Sequence, residues 1–295
     1  MARLTDANEI TRQYLDSLLF EQRLLDSELP SAKTVILGKE FATPIMNAAF
    51  SHLERRQAGV TAAMAKGIAA AGACNMWGMS HDAEMEAIYA AAPDTIEIIK
   101  PYADRDLVFH RIEFAKAHGA FAVGMDIDHI YGRDGAYDVV IDAPMGPVST
   151  SQLRSFVKAA GDLPFVVKGV LSVSDAEKCA EAGASAILVS HHHGIFPSAV
   201  PPLMILPDIR EAVGDALEIY ADCGMESGAD VLRALALGAD AVSVSRHILP
   251  ILFEKGADGV REEIERMTGE LVSLMARTGC TSTADVDPDI LWQNS

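Results

Sequence analysis

The run Phe165-Val-Val-Lys168-Gly169-Val170-Leu171, followed after a helix-like segment by Ala186-Ile-Leu-Val189-Ser190-His191-His192-His193-Gly194, decides how this chain folds. Two short, fully apolar runs, Phe165 to Val167 and Ala186 to Val189, read as buried parallel strands. Each ends at once in residues able to move a proton or hold a charge: Lys168 in the first, the histidine triplet in the second. Reactive residues at strand C-termini mark the active-site face of a parallel α/β protein, which puts Lys168 and His192 in one pocket.

The same alternation runs outward in both directions. Strand-like segments fall at 44–50, 73–78, 95–101, 120–127, 164–169, 185–190, 218–224 and 241–246. Between them, segments at 59–71, 82–91, 105–118, 151–160, 174–182, 206–213 and 227–237 carry apolar residues at three- and four-residue spacing, and 258–278 supplies a last helix. Asp82, Asp104, Ser151, Ser174 and Ser227 are the candidate N-caps. A short echo, Gly-Ala at 72–73, 119–120, 183–184 and 238–239, sets a glycine where a helix stops before the next strand. Eight strand-then-helix units with nothing left over favour a closed (β/α)₈ TIM barrel above an open sheet. The chain then reads as one domain of residues 1–295. Residues 1–42 form an N-terminal helical cap and connector with a short hairpin, 43–280 the barrel, and 281–295 a tail in which Leu291 and Trp292 could dock.

Composition narrows the partners. The 295 residues carry a net charge of −18 and no Lys/Arg run, so phosphate backbones and anionic membranes are repelled and nucleic acid is excluded. Cys74, Cys179, Cys223 and Cys280 are scattered without a CxxC pair, and there is no basic-then-apolar leader or membrane-length apolar run. A reduced, cytoplasmic protein acting on a small molecule is the expectation. No phosphate loop or GxGxxG opens a first βα turn, which removes nucleotide hydrolysis and Rossmann-type dinucleotide binding.

The C-terminal half resembles the FMN-dependent α-hydroxy acid oxidases and dehydrogenases, the glycolate and lactate oxidase group. The likeness lies in Lys168-Gly169-Val170-Leu171, in 180–184 followed by Ile187 to Ser190, in Leu206-Pro207-Asp208-Ile209, in Gly228 through Ala239, and in Thr278-Gly279-Cys280; Thr43-Pro44-Ile45-Met46 and Trp77 fit more loosely. The resemblance implies FMN as cofactor and His192 as the base that takes a substrate proton while two electrons pass to the flavin. It implies Asp126 as the carboxylate that orients His192, and Lys168 as the cation near the flavin N1 and C2 carbonyl. Arg246 and the Gly224-Met225 turn would receive the FMN phosphate, Ala49 and Asn75 would lie near the flavin edge, and Ser190, Asp222 and Ser245 complete the cofactor set. Related barrels assemble as homo-oligomers, so a homo-oligomer is expected here too.

Departures from the family pattern bear on the substrate. The family's His-Gly-Gly-Arg, whose arginine grips the substrate carboxylate, is His192-His193-Gly194-Ile195 here. Lys100 stands where the family has a tyrosine, Ile98 where it has a glutamine, and Glu226 where it has a second phosphate arginine. Lys100, Arg133 and His193 are the remaining candidates to contact the substrate, a small 2-hydroxy acid or related alcohol. Two other readings stay open. One is a metal-dependent or cofactor-free lyase or isomerase using His191 and His193 with Asp128, His129 or His81. The other is a degenerate flavin-binding barrel. Trp77 and Met79 read as packing or pocket wall, and Cys223 as a small buried residue.

Overall fold

A computed structural model describes residues 6–132, 134–140 and 142–292. Eight parallel strands form one sheet: β1 (Ile45–Asn47), β2 (Asn75–Trp77), β3 (Thr95–Ile99), β4 (Ala122–Asp126), β5 (Phe165–Val170), β6 (Ala186–Val189), β7 (Glu218–Ala221) and β8 (Ala241–Val244). Their lateral order is β1-β8-β7-β6-β5-β4-β3-β2, which wraps the sheet into a (β/α)₈ barrel with one seam left between β1 and β2. That seam is closed by a side chain. Asn47 donates from Nδ2 to the Met76 carbonyl at 2.7 Å and accepts the Met76 N–H on Oδ1 at 3.0 Å, while Gly78 N donates to the Phe50 carbonyl at 2.8 Å. The amide of Asn47 thus stands in for a strand's own backbone pair.

The helices alternate with the strands: α1 (Val60–Ala70), α2 (Asp82–Ala91), α3 (Arg105–Ala117), α4 (Thr150–Ala160), α5 (Val173–Ala182), α6 (Pro202–Val213), α7 (Gly228–Ala236) and α8 (Ile248–Thr278). Asp104 and Ser227 cap as expected, but three caps differ. Ser149 caps α4 because Gln152, three residues on, returns the bond to its backbone. Ser172 caps α5, and His81 precedes α2 without a side-chain cap. The last helix begins ten residues before the expected Asp258 and breaks at Gly256, whose φ of 61° no helix interior adopts. α6 starts at Pro202 and keeps Pro207 within its first turns.

Side chains sort by strand period into two cores. Residues facing outward from the strands pack against the helices, whereas Met46, Met76, Ile96, Ile98, Val166, Leu188 and Tyr220 fill the barrel interior. The hairpin of Thr34–Ile36 and Lys39–Phe41 plugs the N-terminal end of the barrel with Ile36 and Phe41, and Glu218 accepts the Leu37 N–H at its turn. Two residues beyond an inward apolar position comes the next inward position: Ile98 leads to Lys100, Val166 to Lys168, Leu188 to Ser190 and Tyr220 to Asp222. The top of the interior is therefore lined by buried polar groups. An N-terminal helix, Ala7–Ser17, lies across that end, burying Ala7, Thr11 and Leu15. Leu291–Trp292 docks as an antiparallel strand on Leu19–Phe20, tying the tail to the N-terminal segment.

Candidate active site

Lys168 Nζ is the hub of the buried cluster. It lies 3.2 Å from Asp126 Oδ1, 3.6 Å from Asp128 Oδ2 and 2.9 Å from His192 Nδ1. Lys100 Nζ bonds the other oxygen of Asp126 at 2.7 Å. Burial opposes a charge on Asp126, but the ammoniums of Lys100 and Lys168 outweigh it and hold the carboxyl well below its ordinary range. Burial likewise opposes the charge on Lys168, and Asp126, Asp128 and Asp222 overcome it, so the ammonium stays protonated.

The imidazole partner differs from the expected one. Asp128 Oδ1 sits 2.6 Å from His192 Nδ1, whereas Asp126 Oδ1 is 3.6 Å away and is taken up by Lys168, with Lys100 on its other oxygen. One Nδ1 cannot both donate to Asp128 and accept from Lys168. The shorter contact to a carboxylate fixes the proton on Nδ1 and directs the Lys168 hydrogens to Asp126, leaving the Nε2 lone pair toward the pocket. Burial and Lys168 oppose protonation of His192, but Asp126 and Asp128 prevail and raise its pKa above the ordinary value. Burial, then the charge on Asp126, raises the Asp128 carboxyl.

Gly169 makes the arrangement possible. It sits at φ 89° beside a bulge in β5, and a Cβ there would lie 2.7 Å from the Asp128 Cβ. Only glycine leaves room for that carboxylate. This was the sequence signal for Asp128: a glycine directly after Lys168 and a second aspartate two residues after Asp126.

His192 itself is held in a left-handed backbone, φ 48°, with its N–H donated to Ser190 Oγ at 3.0 Å; Ser190 Oγ in turn donates to Asp222 Oδ2 at 3.2 Å. His191 turns away, bonding Thr11 through Nε2 at 2.8 Å and accepting the Gly194 N–H at Nδ1. It anchors the N-terminal helix to the loop. His129 sets its ring edge-on to His192, 4.9 Å between centroids, and bonds Asp138 at 2.7 Å.

A cavity of about 330 Å³ opens above this cluster, and Ala49, Lys100, Lys168, His192, His193, Asp222, Ser245 and Arg246 all reach it. Not every expected residue does. Asn75 opens β2 at the far end of the strand, where its Nδ2 bonds Thr95 Oγ1 at 2.9 Å, so the strand direction carries it away from the site. Met225 is buried in the outer core, leaving only its backbone near the turn, and the space at Gly224 is filled by Leu15 and Thr11 of the N-terminal helix. Arg133 falls outside the described residues. Trp77 is fully buried against Phe50, and the Cys223 thiol, pushed up to about 12 by burial, is no nucleophile.

Asp126, Asp128 and His192 bring ligand-type atoms within 4.8 Å of one another, the one such group among the described residues. Lys100 and Lys168 already supply positive charge there. His191 and His193 take no part in it.

A model of the FMN-dependent dehydrogenase family matches residues 4–153 and 140–293. The chain belongs to this family. It is 38% identical to an L-lactate oxidase of Roseobacter sp. (strain GAI101) over 54% of this chain and 43% of that protein. It is 44% identical to a 4-hydroxymandelate oxidase of Amycolatopsis orientalis over 43% of this chain and 36% of that protein. These alignments span less than half the length of either relative. At 29% identity, 2-hydroxyacid oxidase 2 of Rattus norvegicus aligns over 91% of this chain and 84% of its own. Among solved structures, mandelate oxidase with benzoyl-formic acid superposes with a TM-score of 0.87 at 27% identity, over 99% of this chain and 91% of that one. A variant of that enzyme carrying a monooxide FMN adduct matches at 28% identity with a TM-score of 0.85, over 99% and 93%.

Proposed function

We propose that this chain is an FMN-dependent oxidoreductase that oxidises a small 2-hydroxy acid or a related alcohol, with His192 as the base. The observation that carries the reading is the imidazole fixed at Nδ1 by Asp128, 2.6 Å away, with Nε2 turned to a cavity floored by a buried ammonium. The residues present fit the cofactor. Lys168 is kept charged and would offset the negative charge a flavin gains on reduction, Ala48 and Ala49 put only small side chains on the wall, and Arg246 reaches the same cavity without an ion-pair partner among the described residues.

FMN, when bound, supplies the two-electron acceptor. His192 takes the substrate proton at Nε2, and Asp128 stabilises the imidazolium that results. Asp126 works at one remove: clamped by Lys100 and Lys168, it keeps both ammoniums in place. Lys100, His193 and Arg133 are the proposed substrate contacts, and Ser245 and Arg246 the proposed phosphate contacts. The carboxylates that a metal-dependent lyase or isomerase would use are already engaged, Asp126 by Lys100 and Lys168 and Asp128 by His192.

The reading takes residues 1–295 as one barrel domain with a cap and a docked tail, supported by the single eight-stranded sheet and the pairing of Leu19–Phe20 with Leu291–Trp292. It places the protein in the cytoplasm, consistent with four free, buried cysteines, and among the described residues no helix is long and apolar enough to cross a membrane. It assigns a homo-oligomer, for which the almost fully exposed Leu25 and Leu29 offer apolar contact surface.

The test is the visible absorption spectrum of natively purified protein, followed by anaerobic addition of a panel of 2-hydroxy acids. Flavin bands that bleach with substrate, and that persist unbleached in His192→Ala, are expected. Undiminished flavin reduction in His192→Ala would overturn the assignment of the base.

A further inference from the structure

The loop after β4 brings a second imidazole to the cavity above Lys168, and it is held in the same way as the first. His129 Nδ1 lies 2.7 Å from Asp138 Oδ2, just as His192 Nδ1 lies 2.6 Å from Asp128 Oδ1. An ionised carboxylate only accepts hydrogen bonds, so the His129 proton sits on Nδ1 and the lone pair on Nε2. Among the described residues Nε2 of neither ring has a hydrogen-bond partner, and both rings line the same cavity. Burial, then the charge of Lys100, lowers the His129 pKa below its ordinary value, so the ring is a free base at neutral pH.

The backbone of the loop fixes this second pair. Asp138 N donates to the Ile130 carbonyl and Gly132 N to the Ala136 carbonyl, each at 2.9 Å, so Ile130 to Gly132 pairs back on Ala136 to Asp138 and sets Asp138 beside His129. The remaining Asp138 oxygen accepts the Val139 N–H at 2.9 Å, which stops the carboxylate from turning. His52 and His193 also line the cavity, but among the described residues neither has a carboxylate on a ring nitrogen. Lys168 lies nearby and stays protonated, so it cannot act as a base.

The two rings stand edge-on with centroids 4.9 Å apart. Nitrogens at that spacing can both reach one carbinol group within the roughly 2.6–3.2 Å that proton transfer needs. Oxidising a carbinol breaks one C–H and one O–H bond, and His192 accounts for a single proton. Resting on the oxidase reading above, we propose that His129, oriented by Asp138, is a second catalytic base that takes the substrate's hydroxyl proton at Nε2 while His192 takes the proton on carbon. The O–H electron pair becomes the second C–O bond, the C–H pair passes to the flavin, and each imidazole leaves the step carrying one proton. Both rings also line a wider cavity of about 730 Å³ rimmed by the exposed Asp6, through which the two protons return to solvent.

The experiment measures anaerobic flavin reduction by lactate and by mandelate in the holoenzyme, His129→Ala and His129→Gln. Both variants should keep the spectrum of the bound flavin and lose about 10²–10⁴-fold in reduction rate. Added imidazole should restore rate to His129→Ala in proportion to its concentration and leave His129→Gln unchanged, because the glutamine fills the space. His129→Gln retains a donor for Asp138, so a purely structural role would survive it. A native rate in His129→Gln, or a loss in His129→Ala that imidazole does not relieve, would overturn the proposal. If neither acid reduces the flavin of the native protein, it is the oxidase reading that has failed, and nitrogen NMR of the ring decides the second base by itself. A His129 signal, identified by its loss in His129→Gln, that shows the proton on Nδ1 and a bare Nε2 supports it, and a proton on Nε2 refutes it.

Discussion

Two aspartates two residues apart divide the work at the centre of the site. Asp126 balances Lys100 and Lys168, and Asp128 holds His192. Their substitutions should therefore separate. Asp126→Asn strips the charge that compensates two buried ammoniums and is expected to cost about 3–5 kcal/mol of stability, read as a lowered denaturation midpoint. Asp128→Asn leaves that pair intact but removes the charge that stabilises the imidazolium, and flavin reduction should slow by about 10²–10⁴-fold. The pH profile supplies an independent readout. The base must be neutral to act, and its folded pKa lies above the ordinary 6.5, so kcat/KM should fall as pH drops through a value above 6.5. In Asp128→Asn that limb should move to lower pH; an unmoved limb would show that the carboxylate does not sense the imidazole. Gly169→Ala tests the same pair from the backbone side, since the new methyl would displace Asp128 and strain a residue at φ 89°. It should reproduce the rate loss of Asp128→Asn while flavin binding persists, and a fully active Gly169→Ala enzyme would contradict the geometry.

At the level of strands and helices, the barrel is sealed by a side chain rather than by a ladder. Asn47→Ala would leave the Met76 N–H and carbonyl buried and unpaired, a loss of about 2–4 kcal/mol. Urea unfolding measures it, and a midpoint equal to that of the native chain would mean that the Phe50–Trp77 contact closes the seam alone. The sequence announced all eight strands because buried parallel strands are short continuous apolar runs that leave little else to read. It was silent on the seam, since an asparagine in such a run carries no mark of the neighbour it will bond. Cap positions slid by two residues where two serines compete: Ser149 wins over Ser151 because Gln152 stands three places after it. The site was legible for the same reason as the barrel, through Lys168 at an inward strand position. Which aspartate meets His192 was not, because it depends on how far the loop after β4 folds back over Gly169, and Asn75 was misplaced because a three-residue strand gives period-two reasoning little to fix its end.

For the molecule as a whole, charge opposes the substrate that the site is proposed to take. A net charge of −18 surrounds the protein with a field that repels a hydroxy acid anion, while the cations that would welcome it, Lys100, Lys168 and Arg246, sit at or below the cavity floor and rim. Lys100 and Lys168 are largely spent on buried carboxylates, so little of their charge is left to reach into solvent. Encounter should then be limited by the surface, and screening should relieve it. The Debye length falls from about 30 Å at 0.01 M salt to about 8 Å at 0.15 M, shorter than the dimensions of the barrel, so distant acidic residues drop out of the interaction first. The expected outcome is that kcat/KM for an anionic 2-hydroxy acid rises with ionic strength over this range, while that for the corresponding neutral amide or alcohol stays flat. Stopped-flow flavin reduction at constant pH, with two salts of unlike anion to separate screening from competition, measures both. A rate that instead falls with salt for the acid alone would show that the local cations outweigh the surface, and would point to Arg246 and Lys100 as an attractive mouth that Arg246→Gln should then weaken.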